Sequence, residues 1–187
     1  MFNMIKQEDR RVRYSKMVIK ESFIELLEKK PISQITIKEL CEKADVNRAT
    51  FYAHYSDQYD LLEQIENELI DNIRVYLKGD NLLNLGTADV VGKIFEYIKD
   101  NARICRLLLS ERGDLGFQKQ VMTVVYDLMI TELTNKNVLI KEDAEYVYSF
   151  IITGCIGLIQ KWLDSNMKKT PHDMAVMILK LTKGLMR

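Results

Sequence analysis

The sequence predicts an all-α protein, and three observations carry that prediction. Only 2 prolines and 8 glycines punctuate 187 residues, which permits long helices and argues against a many-turned β fold. Apolar residues recur at the three- and four-residue spacing of a helix face along most of the chain. Between those stretches stand Thr, Asn and Asp at positions suited to capping a helix. The expected architecture has about nine helices. Three of them form an N-terminal helix-turn-helix unit, and the rest form a larger C-terminal helical part.

The first helix is expected over residues 12–28, where Ile19, Phe23, Leu26 and Leu27 share a face and Lys and Glu fill the other. Pro31 ends it, because proline cannot continue the helical hydrogen-bond ladder. Thr36 then caps a short second helix, with Glu39 three residues on in the capping-box position. Ile37, Leu40, Cys41 and Ala44 mark its inner face, and Asp45 and Val46 make a turn. Asn47 caps a third short helix, Arg48, Ala49, Thr50, Phe51 and Tyr52. Ile37, Leu40, Cys41, Ala44, Val46 and Phe51 should hold these helices against Phe23 and Leu27.

Asp57 caps a fourth helix striped by Leu61, Leu62, Ile65, Leu69 and Ile73, which Gly79 and Asp80 interrupt. Further helices are expected over residues 87–100 (Val91, Ile94, Phe95, Ile98) and 101–110. Others follow over 116–134 (Phe117, Val121, Val124, Val125, Leu128, Met129) and 141–165, with a last one beginning at Pro171. Loops fall near residues 79–86, 111–115, 135–140 and 166–170. The domain boundary is placed at 60/61, where the fourth helix leads from a domain of residues 1–60 into one of 61–187.

Net charge is zero, 27 cations against 27 anions, but its distribution is uneven. The first twenty residues carry Lys6, Arg10, Arg11, Arg13, Lys16 and Lys20 against Glu8 and Asp9, as a DNA-facing arm or a solvated tail would. Cys41, Cys105 and Cys155 are far apart and lack CxxC spacing, and His54 and His172 are the only histidines. No disulfide framework, metal site or cofactor is expected. No Ser/His/Asp set or glycine-rich phosphate loop is visible, so the chain does not read as an enzyme. It opens on polar residues instead of a signal peptide's apolar core, and no uncharged run nears the roughly 20 residues that span a bilayer. A cytoplasmic protein without membrane association is expected.

Two short capped helices joined by a tight turn and propped on a longer one form a helix-turn-helix, whose second helix enters the major groove. Its leading residues are Asn47, Arg48, Ala49 and Thr50. Arg48 suits a guanine edge or a phosphate, and Thr50 offers a hydroxyl and a methyl. Tyr52, His54 and Tyr55 follow within a turn and can reach phosphates; His54 also reads as a helix-end cap and Tyr55 as a core aromatic. Thr36 can contact phosphate from the start of the second helix.

The run Thr36-Ile-Lys-Glu-Leu-Cys-Glu-Lys-Ala-Asp-Val-Asn-Arg-Ala-Thr-Phe-Tyr-Ala-His-Tyr-Ser-Asp-Gln-Tyr-Asp-Leu-Leu62 resembles the DNA-binding region of TetR-type transcriptional regulators. The resemblance covers roughly residues 15–68 and centres on Thr50-Phe51-Tyr52-x-His54-Tyr55, followed by Asp57 and Leu61-Leu62. It implies a homodimer, probed against a near-palindromic double-stranded DNA operator and often responsive to a small-molecule effector. By position it makes Arg48, Ala49, Thr50, Tyr52 and His54 recognition contacts, with Thr36 on phosphate. The chain departs from the pattern twice. Tyr55 stands where phenylalanine is usual, and Gln58 where a phosphate-contacting lysine is common.

In the C-terminal part, residues 146–163 are apolar on more than one stripe, which suggests burial against both their own domain and a second subunit. Ile151, Gly154, Cys155, Leu158 and Trp162, with Met174, Met177, Ile178 and Leu181 of the last helix, are the expected dimer seam. Phe95, Phe117, Met122, Tyr126, Met129, Phe150 and Trp162 either line an apolar effector pocket or are simply core. The competing reading of the whole chain is a helical protein-binding adaptor that has lost DNA binding. The basic arm and the polar face of Arg48, Thr50 and Tyr52 argue against it.

Overall fold

The computed structural model describes residues 10–77, 88–110, 116–124, 126 and 141–185. In order these form α1 (Arg10–Leu27), a 3₁₀ turn (Ile32–Gln34), α2 (Ile37–Ala44), α3 (Arg48–Tyr52) and α4 (Gln58–Leu77). Then come α5 (Ala88–Asp100), α6 (Ala102–Leu109), α7 (residues 116–124), α8 (Lys141–Asp164) and α9 (Pro171–Leu185). The fold is all-helical, with no strand among the described residues. Lys6, Glu8, Asp9, Gly79, Asp80, Val125, Leu128, Met129 and the loops expected at 79–86, 111–115 and 135–140 lie outside the described residues.

The chain divides into two compact units, Met1–Asn67 and Glu68–Arg187. The division falls inside α4, seven residues beyond the expected 60/61 boundary.

In the first unit Ile19, Phe23, Ile35, Leu40, Phe51 and Leu61 are shut away from solvent. α1 packs along α2, and α2 contacts α3. Ile37, Val46 and Leu27, expected in this core, sit half-buried at its edge. Two ion pairs brace the packing from outside. Lys43 reaches Glu25 on α1, and Lys30 approaches Glu39 at 2.5 Å.

That second pair alters the expected capping box. Thr36 Oγ1 accepts the Glu39 N–H at 3.2 Å as predicted, but the Glu39 carboxylate goes to the Lys30 ammonium. A charged donor forms a stronger hydrogen bond with a carboxylate than a neutral amide does.

α2 ends in a Schellman turn. The Val46 N–H donates to the Cys41 carbonyl at 3.0 Å and the Asp45 N–H to the Glu42 carbonyl at 3.4 Å, with Asp45 left-handed at φ 52° and ψ 46°. α8 ends the same way. There the Met167 N–H donates to the Trp162 carbonyl and the Asn166 N–H to the Leu163 carbonyl, with Asn166 at φ 55°.

In the second unit α5 packs on α9 and α6 on α8. Two side chains tie the ends of α6 and α8 together. Gln160 Nε2 donates to the Leu109 carbonyl, and Arg106 Nη2 donates to the Leu163 carbonyl at 2.7 Å. Gln160 satisfies a carbonyl at the end of α6, and Arg106 adds a charged donor to the Leu163 carbonyl, which also accepts the Asn166 N–H.

Asp143–Asp164 is long and apolar enough to cross a membrane by length and composition, although its uncharged run is confined to residues 146–160. Tyr148, Ile151, Ile152, Ile156, Trp162 and Leu163 on its inner side are buried within the unit. A core helix with that burial meets the same criterion, which Asp143, Glu145, Lys161 and Asp164 near the segment's ends do not prevent.

Candidate nucleic-acid interface

α3 is five residues long, too short to persist alone, so its position depends on its cap and its anchors. Asn47 supplies the cap: its Oδ1 accepts the Thr50 N–H at 2.7 Å and the Thr50 hydroxyl at 3.0 Å. Phe51 supplies the anchor, fully buried, with its ring 5.5 Å from that of Tyr55.

The opposite face of α3 is open. Asn47, Arg48, Ala49 and Tyr52 are exposed, and Thr50 and His54 are half-buried. Tyr52 is 57% exposed, its ring set edge-on to Phe51 at 5.5 Å. Thr36 is exposed at the start of α2.

Tyr55 is the correction among the predicted DNA contacts. It is only 6% exposed and packs on Phe51, because the turn after α3 directs it inward. His54 lies edge-on to Tyr55, centroids 6.1 Å apart, and its carbonyl accepts from Gln64 Nε2 at 3.3 Å.

Lys38, Cys41, Glu42, Asp45, Val46, Asn47 and Arg48 line a cleft of about 310 Å³. Burial pushes the Cys41 thiol up, and the nearby Arg48 charge draws it partly back. The thiol therefore stays protonated at neutral pH.

α4 begins with its own caps. Asp57 Oδ1 accepts the N–H groups of Tyr59 and Asp60 at 2.8 and 2.9 Å. Asp60 in turn accepts from the Ser56 N–H at 2.7 Å and the Ser56 hydroxyl at 3.0 Å. The Ser56 amide, then the Gln64 side chain, hold the Asp60 carboxyl below its ordinary value. Gln58, where a lysine is common in the resembling family, is half-buried.

Arg10, Arg11 and Arg13 are exposed on the first turns of α1, with Lys16 and Lys20 half-buried. Tyr14 and Met17 share that outer face, 63% and 54% exposed. Sequence reasoning passed over both. The available signal was spacing: Tyr14 lies four residues after Arg10, and Met17 four after Arg13.

The residues expected as a pocket scatter. Phe95 and Trp162 are buried edge-to-face at 5.2 Å, and the Trp162 indole donates to the Lys169 carbonyl at 2.9 Å. Phe117 is buried and Met122 half-buried, while Tyr126 stands edge-on to Tyr148 at 5.0 Å. Phe150 departs from expectation: it is 67% exposed on the outer side of α8. None of these residues lines the 310 Å³ cleft or a smaller one of about 160 Å³ between Arg106, Leu109, Ser110, Gln160, Leu163 and Asp164.

The expected seam residues divide between inside and outside. Ile151, Trp162, Met174 and Ile178 are buried within the chain's own core. Cys155, Leu158 and Met177 are half-buried, while Gly154 and Leu181 are exposed. The outward apolar stripe of α8 runs through Tyr146 (74% exposed), Phe150 and the exposed Gly154 and Gly157.

Residues 23–65 match the family described as bacterial regulatory proteins, tetR family, and residues 87–184 match the family described as transcriptional regulator C-terminal region. The uncharacterized HTH-type transcriptional regulator YxbF of Bacillus subtilis (strain 168) is 27% identical over 175 residues. That alignment takes in 91% of this chain but 45% of YxbF, so the chain spans about half the length of this curated relative. Among solved structures, a TetR transcriptional regulator from Streptococcus agalactiae 2603V superposes with a TM-score of 0.65 at 23% identity, over 94% of this chain and 97% of that one. FadR from Bacillus subtilis, solved in complex with stearoyl-CoA, superposes at 0.63 and 15% identity, over 89% and 96%. At these identities the superpositions establish the fold. With both of its units matched by regulator families, this chain belongs to the TetR family of transcriptional regulators.

Proposed function

We propose that the chain is a sequence-specific repressor that binds a near-palindromic DNA operator as a homodimer in the cytoplasm. The observation that carries the proposal is the two-sided construction of α3. Phe51 is locked into the core while Asn47, Arg48, Ala49 and Tyr52 stand exposed on one short, capped helix. That is the arrangement a recognition helix needs to enter a major groove. Thr36 and the Tyr52 and His54 side chains flank it as phosphate contacts.

The dimer is proposed through α8 and α9. Tyr146, Phe150 and Leu181 leave large apolar side chains in water in the single chain, and Gly154 and Gly157 leave room beside α8. A two-fold dimer would offer one copy of α3 to each half-site of a near-palindromic operator.

An apolar effector that favours the released state completes the proposal. FadR's complex with stearoyl-CoA motivates it. In this chain Phe95 and Trp162 fill each other's space, so such a ligand must open that contact.

The test is selection of bound fragments from random duplex DNA at controlled salt. Enrichment of a two-fold-symmetric motif is the expected result. Arg48→Ala combined with Tyr52→Phe should abolish that binding at unchanged melting temperature. No binding at any salt, with the fold intact, would favour a protein-binding adaptor.

A further inference from the structure

We infer that the leading residues of α3 read guanine edges and thymine methyl groups, and that the Thr50 methyl, not its hydroxyl, carries the thymine preference. The inference rests on the proposed operator binding. It begins at Asn47, whose Oδ1 accepts from both the N–H and the hydroxyl of Thr50. That oxygen is doubly engaged, and the Thr50 hydroxyl proton is committed within the protein.

What remains for a ligand follows from each group's chemistry. Asn47 keeps its Nδ2 group, which only donates, and Arg48 is a donor throughout. Ala49 offers a methyl. The half-buried Thr50 keeps its Cγ2 methyl and hydroxyl lone pairs, with no proton to give. Turning the hydroxyl toward DNA would remove one of the two bonds that hold α3 to its cap.

In the major groove, guanine presents two acceptors, N7 and O6, while cytosine presents an N4 donor. Thymine alone carries an exposed methyl beside an acceptor. The several donors of Arg48 match the paired acceptors of guanine, and the methyl groups of Ala49 and Thr50 suit the methyl of thymine.

The experiment uses the full chain and the operator recovered by selection, with each half-site thymine replaced in turn by deoxyuridine. Uracil pairs as thymine does but lacks the methyl. Affinity is measured for the wild type, Thr50→Ser and Thr50→Val. Ser keeps the hydroxyl and loses the methyl, and Val does the reverse.

The thymine that meets Thr50 should be sensitive, its replacement weakening wild-type binding by about fourfold, the worth of one buried methyl group. Thr50→Val should keep that thymine-to-uracil ratio, and Thr50→Ser should bring it close to one. A ratio kept by Thr50→Ser and lost by Thr50→Val would overturn the inference. So would a wild type indifferent to every uracil, a result that needs no variant to fold. A wild type that binds no duplex would overturn the operator proposal itself, and this inference with it.

Discussion

Asp45 closes the turn between α2 and α3 at φ 52°, where a side chain crowds its own backbone and glycine does not. Its negative charge also sits at the C-terminal, negative end of α2. Asp45→Gly should therefore raise stability by about 0.5–1 kcal/mol, visible as a melting temperature several degrees higher. Asp60 has a pH signature. Its carboxyl lies below its ordinary value of 3.8, because the Ser56 amide and then Gln64 donate to the charged form. A lowered folded value means the contribution is complete above the ordinary value and is lost as pH falls through the lowered one. Asp60→Asn should lower the melting temperature slightly across the neutral region, where the contribution is complete, and flatten the acid limb below about pH 5, where the two profiles converge. The local caps behind these predictions, Thr36 to Glu39, Asn47 to Thr50 and Asp57 to Asp60, were legible in the chain because partner and cap lie three residues apart. Lys30–Glu39 and Lys43–Glu25 were not, since no local pattern marks pairs separated by nine and eighteen residues.

Among the helices, α3 and α8 show how much depends on which face is turned inward. Phe51 is fully buried and anchors a helix of five residues. Phe51→Ala should cost about 3–5 kcal/mol and abolish DNA binding through loss of fold. Arg48→Ala, on the exposed side, should change stability by less than about 0.5 kcal/mol and lose binding without unfolding. The two are told apart by pairing chemical denaturation with a binding assay. On α8, a Cβ added at Gly154 meets nothing within 4 Å in the chain. Gly154→Ala should stabilise the isolated helix by about 0.5–1 kcal/mol while weakening self-association, if a partner helix uses that space. A protomer that melts higher and an unchanged dimer dissociation constant would remove Gly154 from the seam.

For the assembled protein the decisive question is what covers Tyr146 and Phe150, 74% and 67% exposed. Phe150→Glu should leave the helical circular dichroism of the chain intact, because the side chain contributes little to its own core. The same change should shift sedimentation from dimer to monomer, and with it lose high-affinity operator binding, since a single protomer brings one recognition helix to one half-site. A dimer undisturbed by Phe150→Glu would move the interface elsewhere on the second unit.

The chain by itself determined the succession of helices, their caps, the helix proposed for recognition and the family. These rest on spacings of three and four residues and on one contiguous run, Thr36 to Leu62, and local geometry responds to neighbours at that range. Tertiary structure decided which residues face inward: Tyr55 in, Phe150 out, Ile151 and Trp162 committed to their own core. α8 is apolar around most of its circumference, so its periodicity carries no preference for one stripe over another. The choice comes from helices distant in sequence, such as α6, whose Arg106 reaches the carbonyl of Leu163 across 57 residues. No window of neighbouring residues contains that contact, and packing has to bring it together.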